Sequence, residues 1–541
     1  MNDLLKDLES NTSPGVSGIP VIILKRAKIS IVDPLVQIFN SCITQNIFLR
    51  EWKTAIVTPL YKSKGDTCDL NNYRGISVLP PLGKLFEKLL SSRLRAYFES
   101  KRFLFIGQHG FRSAHSCDTA IHEIVSNCLS NIDANLINLL LFIDFKKAFD
   151  MIDQALLLYK LGNYGLSNNA LSLLAHYFCD RYQMTVINGV ESQFVNINLG
   201  VPQGSVLGLL LFIIFINDLP FFLINILSKL FADDTTLLFH GATIDSVISS
   251  FKLGLKQIIE WCNYNRLFIN WSKTFIMFVH NKRIITPTFL DCEGIHLSAV
   301  TKFKLLGFII DQKFDFQSHV AHLCLTINRK LHSIKRLFYL PFQVKLQFFK
   351  SFILPYFDYG LSLTIYFHKN AIRKLCKLYY ICLIKLFNFS FLDKSTRFSS
   401  IKSHDLINLD LKEHNLFSFH HRLVFRLISF IHKILFNFNS PVQLKSWLVI
   451  NVNKELGVSL RSNDTQSFCV PKTKSKFGDM TFKNFFSRFL NKLNFSLFTH
   501  NFEKFKQDRL DNKEIYNDLN ILLKYFPKFN CDLNFFYFHT K

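Results

Sequence analysis

The chain has 541 residues, 49% of them hydrophobic and 19% charged, with 64 Lys plus Arg against 40 Asp plus Glu and a formal charge of +24. This excludes a disordered chain. The length passes the roughly 250–300 residues at which one core stops growing, so roughly two to four domains are expected. The charge favours a polyanionic partner through counterion release from phosphates.

In chain order, the turn-rich SPGVSGIP (13–20) comes first, then WKTAIVTPLYKSKGD (52–66), a strand ending in a basic turn. GKLFEKLLSSRLRAYF (83–98) has apolar pairs at 85/86, 89/90 and 97/98, with Leu94 between, which is helical spacing with Lys and Arg on the other face. TAIHEIVSNCLSNI (119–132) repeats the pattern. NLLLFIDFKKAFD (138–150) begins as a continuous apolar run, the mark of a buried strand, and places Asp144 at its end. A helix over 167–180, short strands at 184–188 and 194–199, and a helix over 204–217 follow. SKLFADDTTLLFH (228–240) reads as strand, turn, strand; 245–265 is helical, and 274–279 and 304–310 are strand-like. Beyond about 315 the pattern is mainly helical, with a basic amphipathic helix over 320–340, and beyond about 400 no motif is found. Strands with helices between them give an α+β core of the split βαβ kind.

Two alternatives to a nucleic-acid partner are disfavoured. The 12 Cys contain no C-x-x-C pair and no signal peptide is visible, which argues against a zinc site or a secreted disulfide scaffold and for reduced, intracellular thiols. The run 207–227 is broken by Asn217, Asp218 and Pro220, leaving about 10 unbroken apolar residues, too few for a bilayer. No membrane association is expected.

Asp233 and Asp234 stand side by side in an apolar run. Alone, such a pair reads as a hairpin turn with two solvated carboxylates. The flanks lack turn signals, however, and Asp144 also ends an apolar strand. Two strands of one sheet can gather all three carboxylates, which would then repel one another unless divalent cations intervene. Mg²⁺ takes hard oxygen ligands and shares them with phosphates. Two ions roughly 3.5–4 Å apart activate a hydroxyl and stabilise a leaving pyrophosphate.

Several further segments sharpen this picture: SPGVSGIP (13–20), NNYRGISVLP (71–80), QHGFRSAHSCDTAI (108–121), FIDFKKAFD (142–150), GVPQGSVLGLLLFIIFINDLP (200–220), FADDT (231–235), NRLFINWSKT (265–274) and KFKLLGFIID (302–311). In this order they resemble the motifs of reverse transcriptases of non-LTR (LINE-type, Jockey-like) retrotransposons. The resemblance implies a right-hand polymerase with fingers, an antiparallel-sheet palm and a helical thumb, plus a mainly helical C-terminal extension. Fingers would span 1–135, palm 136–315, thumb-like region 316–400 and extension 401–541. It implies an RNA-directed DNA polymerase that extends a DNA primer on an RNA template with dNTPs, using two Mg²⁺ ions or Mn²⁺ in their place.

By the same resemblance, Asp144, Asp233 and Asp234 form the catalytic and metal-binding cluster, and Phe145 contributes its backbone carbonyl to the metal. Phe149 excludes a 2′-hydroxyl. Gln203 and Gly204 lie against the nucleotide. Arg74, with Lys62 or Lys64, holds the triphosphate, and Lys273 protonates pyrophosphate or positions the triphosphate. Read alone, Phe149 is core, Gln203 and Gly204 a turn, and the basic residues solvated charges.

Four positions depart from the family pattern. Ser17 replaces Asp, Gly75 replaces Pro, Ala114 replaces Gly and Leu209 replaces Pro. These favour the alternative, a weakened or inactive nucleic-acid-binding remnant. The first motif begins at residue 13, which leaves no endonuclease domain before it, and no RNase H carboxylates are identified. Nicks would then come from elsewhere. A nuclear location follows only from the family's target-primed copying.

Overall fold

The computed structural model describes residues 1–334, 339–387, 411–412, 414, 416–449, 468–493 and 514–529. The chain forms two compact units, one made of 1–111, 143–235 and 252–274, the other of 112–142, 236–251 and 275–541. Its strands are β1 (Ala55–Tyr61), β2 (Tyr73–Val78), β3 (Ile137–Ile143), β4 (Tyr182–Ile187), β5 (Val190–Glu191), β6 (Val195–Asn196), β7 (Leu227–Phe231), β8 (Asp234–Gly241), β9 (Phe275–Val279), β10 (Phe289–Cys292), β11 (Ile295–Ser298), β12 (Lys302–Leu305) and β13 (Phe308–Asp311). Helices dominate after residue 311, so the α+β content expected from the sequence is present.

In the first unit β1 pairs antiparallel with β2 and parallel with β4, and β4 carries β5 and β6 on antiparallel registers. The β1–β2 register sets Leu60 opposite Arg74 and Pro59 opposite Gly75. An aromatic cluster of Phe39, Phe48, Trp52, Phe86 and Tyr177 fills the core with tilted and edge-on rings, the contacts that π-quadrupoles favour. The helix Val206–Phe215 is apolar all round and buried almost throughout. Its N-terminus is closed by Ser205, whose Oγ accepts from Gly208 N–H (2.9 Å), and by the fully buried Glu87, which accepts from Ser205 Oγ (2.7 Å) and Val206 N–H (2.8 Å). A carboxylate at that end satisfies orphan donors and meets the positive pole of the helix. The first part of the greasy run 207–227 is thus a short core helix ending at Phe215, and among the described residues no helix is long and apolar enough to cross a membrane.

In the second unit β3 lies between β8 and β9. All seven β3 residues are buried, as their unbroken apolar run requires. The antiparallel register with β9 matches Asn138 to Val279, Leu140 to Met277 and Phe142 to Phe275. The helix Cys117–Asp133 starts on a capping box, with Ser116 and Thr119 exchanging backbone and side-chain bonds.

One expectation needs correction, and one strand was not expected. The segment 304–310 is not one strand but part of the β12–β13 hairpin, because Leu306 and Gly307 both take positive φ (47° and 86°) and reverse the chain between Leu305 and Phe308. Tyr73–Val78, quoted above only as a motif, is a full strand. The expected helix 320–340 appears as Gln317–Ile334, and its 335–338 stretch lies outside the described residues, as does much of 388–467.

One family departure has a physical cost. Ala114 sits at φ 59°, in the left-handed region where a Cβ is disfavoured and glycine is free. Ala114→Gly is expected to stabilise the protein by about 0.5–1 kcal/mol, the relieved strain being partly offset by the greater entropy of the unfolded glycine chain. Chemical denaturation midpoints of the two proteins check this.

Candidate active site

Asp144 is the residue after β3, so a buried strand delivers it. Asp233 and Asp234 sit at the turn that follows β7, with Ala232 and Asp233 forming the turn and Asp234 opening β8. Burial is the main cause that raises the Asp233 carboxyl above its ordinary range. Its own backbone N–H opposes this, the Asp144 charge adds to it, and the Arg74 charge offsets it. Burial likewise raises Asp234, reinforced first by Asp233 and then by Asp144, to about 6. Asp234 nonetheless keeps an exposed surface, as a site for a charged ligand requires. All three carboxylates therefore feel one another, and the Arg74 guanidinium lies in the same field.

Asp144 is held by neighbours from the segment 265–274. Its Oδ2 accepts from Asn270 Nδ2 (2.9 Å) and lies 3.8 Å from Lys273 Nζ. Its backbone carbonyl accepts from Asn270 N–H (2.7 Å), and its N–H donates to Thr274 Oγ1 (3.4 Å). Lys146 N–H donates to Phe268 O (2.7 Å), and Phe145 faces Ile269 across an antiparallel bridge. In such a pair the bonds flank the facing residues, so the Phe145 carbonyl points away from Ile269. Phe145 itself is buried.

The remaining candidates fall into two groups. Gln203 Nε2 donates to the Asp150 carboxylate, at 2.9 Å to Oδ1 and 3.1 Å to Oδ2. Its backbone carbonyl accepts from Ser77 N–H (2.7 Å), which seats the turn under β2. Gly204 has φ 126°, and a Cβ there would stand 2.3 Å from Ser77 O, so only glycine fits. A cavity of about 310 Å³ opens here, bounded by Gly75, Ser77, Asp150, Gln183 and Gln203 among others. Phe149 stacks its ring on Phe212 (centroids 4.3 Å apart, planes 27°) while keeping part of its surface open. The lysines of the β1–β2 hairpin are less involved. Lys62 Nζ donates to Asn71 O (2.7 Å) within its own hairpin, and Lys64 is exposed at its tip.

Asp150, Asn270 and Thr274 were not singled out by the sequence, although each lies inside a quoted motif. Asp150 is raised by burial, with Gln203 and Lys147 opposing. Nothing in residue spacing shows that Asp150 orients Gln203, or that Asn270 reaches Asp144, since each pair lies far apart in the chain.

Oxygen donors dominate the cluster, and the burial and mutual repulsion that raise Asp233 and Asp234 are what a hard divalent cation offsets. The residues fit such an ion in kind. Among the described residues, no three His, Cys, Asp or Glu side chains are gathered closely enough to hold a metal as they stand.

Residues 62–310 match the family described as reverse transcriptase (RNA-dependent DNA polymerase), which places a reverse transcriptase domain across both carboxylate motifs. Within that class the chain is similar to RNA-directed DNA polymerases of mobile elements. It is 27% identical over 365 residues to the RNA-directed DNA polymerase from mobile element jockey of Drosophila melanogaster, covering 63% of this chain and 38% of that protein. It is 28% identical over 332 residues to the probable RNA-directed DNA polymerase from transposon BS of the same fly (59% and 36% covered), and 25% over 363 residues to that from transposon X-element (65% and 40%). The chain thus spans less than half the length of these curated relatives. Among solved structures, a telomerase from Candida albicans aligns at TM-score 0.35 and 12% identity over 76% of this chain and 68% of that one, a likeness too loose to carry an argument.

The raised carboxyls make stability depend on pH. A carboxyl lifted from 3.8 to about 6 keeps its proton in the folded state while the unfolded chain has lost it. The folded state then binds more protons, so stability falls as pH rises from about 4 to about 6. Asp234→Asn is expected to raise the melting temperature at pH 7 and to flatten that fall, as scanning calorimetry across the interval would record.

Proposed function

We propose that the chain is an RNA-directed DNA polymerase that extends a DNA 3′ end along an RNA template, consuming dNTPs and releasing pyrophosphate. The observation that carries this is the mutual field of Asp144, Asp233 and Asp234, delivered by two separate strand ends inside a reverse transcriptase domain. Asp144 and Asp233 would hold two Mg²⁺ ions, or Mn²⁺, with Asp234 completing the charge and the Phe145 carbonyl adding a neutral oxygen. Bound there, the ions would supply Lewis acidity to the attacking hydroxyl and to the leaving pyrophosphate.

The chain's own residues do the rest. Arg74, whose charge already acts on Asp233, presents a forked donor to the triphosphate. Lys62 and Lys64 sit on the same hairpin; Lys62 must first release the Asn71 carbonyl to join it. Gln203, with its amide nitrogen held by Asp150, offers its carbonyl oxygen to the nucleotide, and Gly204 lets the backbone come close. Phe149 sets the wall against a 2′-hydroxyl. Lys273, 3.8 Å from Asp144, is placed to hold or protonate a phosphate oxygen.

We assign fingers to 1–135, palm to 136–315, a helical thumb to 316–400 and an extension to 401–541. RNA template and DNA primer are the macromolecular partners, consistent with the net charge of +24. Target-primed copying would put the work in the nucleus, on ends nicked by an endonuclease. The remnant reading is not favoured, because the four drifted positions include none of the three aspartates.

The test is incorporation of dTTP on poly(rA) primed with oligo(dT). Wild type is expected to extend the primer only with Mg²⁺ or Mn²⁺ present, and Asp233→Asn to be slower by about 10³-fold or more, since the variant loses a ligand to the ions. Equal rates in the two proteins would mean the activity is not the chain's own. Asp150→Ala is expected to raise KM for dTTP by about tenfold while primer–template affinity stays unchanged, because only the hold on Gln203 is lost.

A further inference from the structure

The segment Gly107–Phe111 contributes no group to the reaction described above, yet it runs beside β7 up to the acidic turn. Leu230 N–H donates to Gly107 O (2.9 Å) and His109 N–H donates to Leu230 O (2.7 Å), so Gln108 and Leu230 form a parallel bridge. Gln108 is fully buried. Its amide oxygen accepts two backbone N–H groups, Gly110 at 2.8 Å and Ala232 at 3.2 Å. Ala232 immediately precedes Asp233 and has φ 55°, a left-handed conformation that its Cβ disfavours. Such a residue persists only where its surroundings over-determine it.

Two independent features supply that determination. One is the Gln108 oxygen, which satisfies the N–H that the turn leaves without a ladder partner. The other is Gly110, where a Cβ would stand 2.4 Å from Ala232 N and 2.9 Å from Phe231 C, so the backbone of one segment rests directly on the turn of the other. Gly107 repeats the fit farther back, since a Cβ there would meet Ser228 O at 2.7 Å. The contact therefore runs along β7 from Ser228 to Phe231 and ends at Ala232, the residue before both carboxylates.

Building on the polymerase reading of this site, we propose that Gln108 is a positioning residue that fixes the direction of Asp233 and Asp234 by holding the Ala232 N–H, with Gly110 as the seat against which the turn is pressed. Gln108 acts through the backbone alone. Losing its oxygen leaves the three carboxylates in place chemically but free to turn away from one another.

The test uses the full chain and Gln108→Met, which keeps the volume and removes the acceptor, beside Gly110→Ala, which pushes the turn from the same side. Without metal or substrate, amide hydrogen exchange over residues 231–234 is expected to quicken by about tenfold or more in both variants, while the helix Pro81–Ser100 exchanges as in wild type. Binding of Mn²⁺ alone, followed by electron paramagnetic resonance, is expected to weaken by about tenfold. In primer extension the saturated rate is expected to fall by about tenfold or more, with KM for dTTP moving by less than about threefold.

Wild-type exchange over 231–234 in both variants overturns the inference whatever the activity shows, and so does faster exchange in every helix, which would make Gln108 a general core residue. If Gln108→Met does not fold, Gln108→Asn, which draws the acceptor back by one methylene, carries the same exchange comparison. A wild-type chain that incorporates nothing sinks the polymerase reading, while the exchange and Mn²⁺ arms still judge Gln108.

Discussion

Three carboxylates that repel one another must be brought together by a scaffold that gains nothing from their meeting. Asp233 and Asp234 show the cost directly, in carboxyls raised by burial and by neighbouring charge. The cost is offset elsewhere, by strands and helices whose own burial is strongly favourable. β3 is buried at every residue, and the helix Val206–Phe215 is a nearly solid apolar cylinder capped by a buried carboxylate. A marginally stable chain accepts a repulsive cluster only when such elements carry it.

The same constraint explains the density of backbone specializations around the cluster. Ala232 lies in the left-handed region beside Asp233, Lys147 does so three residues after Asp144, and Gly204 takes a φ that only glycine tolerates. Close approach of backbone to backbone recurs at Gly110 against Ala232 and at Gly204 against Ser77. Each lets backbone approach backbone without an intervening side chain, which keeps the segments stiff. Stiffness matters because electrostatic stabilisation of a developing charge depends on groups that do not have to reorganise.

Side-chain bonds then set direction. Asn270 fixes one oxygen of Asp144, Asp150 holds the amide nitrogen of Gln203, and Gln108 takes the Ala232 N–H. None of the three holders is itself a member of the acidic cluster. They form a supporting layer in which neutral amides and one carboxylate decide the orientation of groups that chemistry would use.

Much of this was legible in residue order. The apolar run before Asp144 announced a buried strand, the periodicity of 83–98 and 119–132 announced helices, and the adjacent aspartates in an apolar context marked a candidate site. The β12–β13 hairpin was not legible, because Leu306 is an unusual choice for a positive φ and hid the turn inside an apolar stretch. The strand Tyr73–Val78 was hidden by its Gly and Arg, residues that a strand tolerates when a neighbour such as β1 supplies the register.

The sequence by itself determined which residues carry charge, which runs must be buried, and, through the order of its motifs, the class of protein the chain resembles. Those properties reside in single side chains and in periods of two or about 3.6 residues. Only the tertiary structure decided that Asn270 grips Asp144, that Asp150 turns Gln203, that Arg74 rather than Lys62 faces the acidic cluster, and that Gln108 holds the turn of Asp233. Those are contacts between segments separated by tens to more than a hundred residues, and hydrogen bonds of about 3 Å are made or missed by small shifts in how the segments pack.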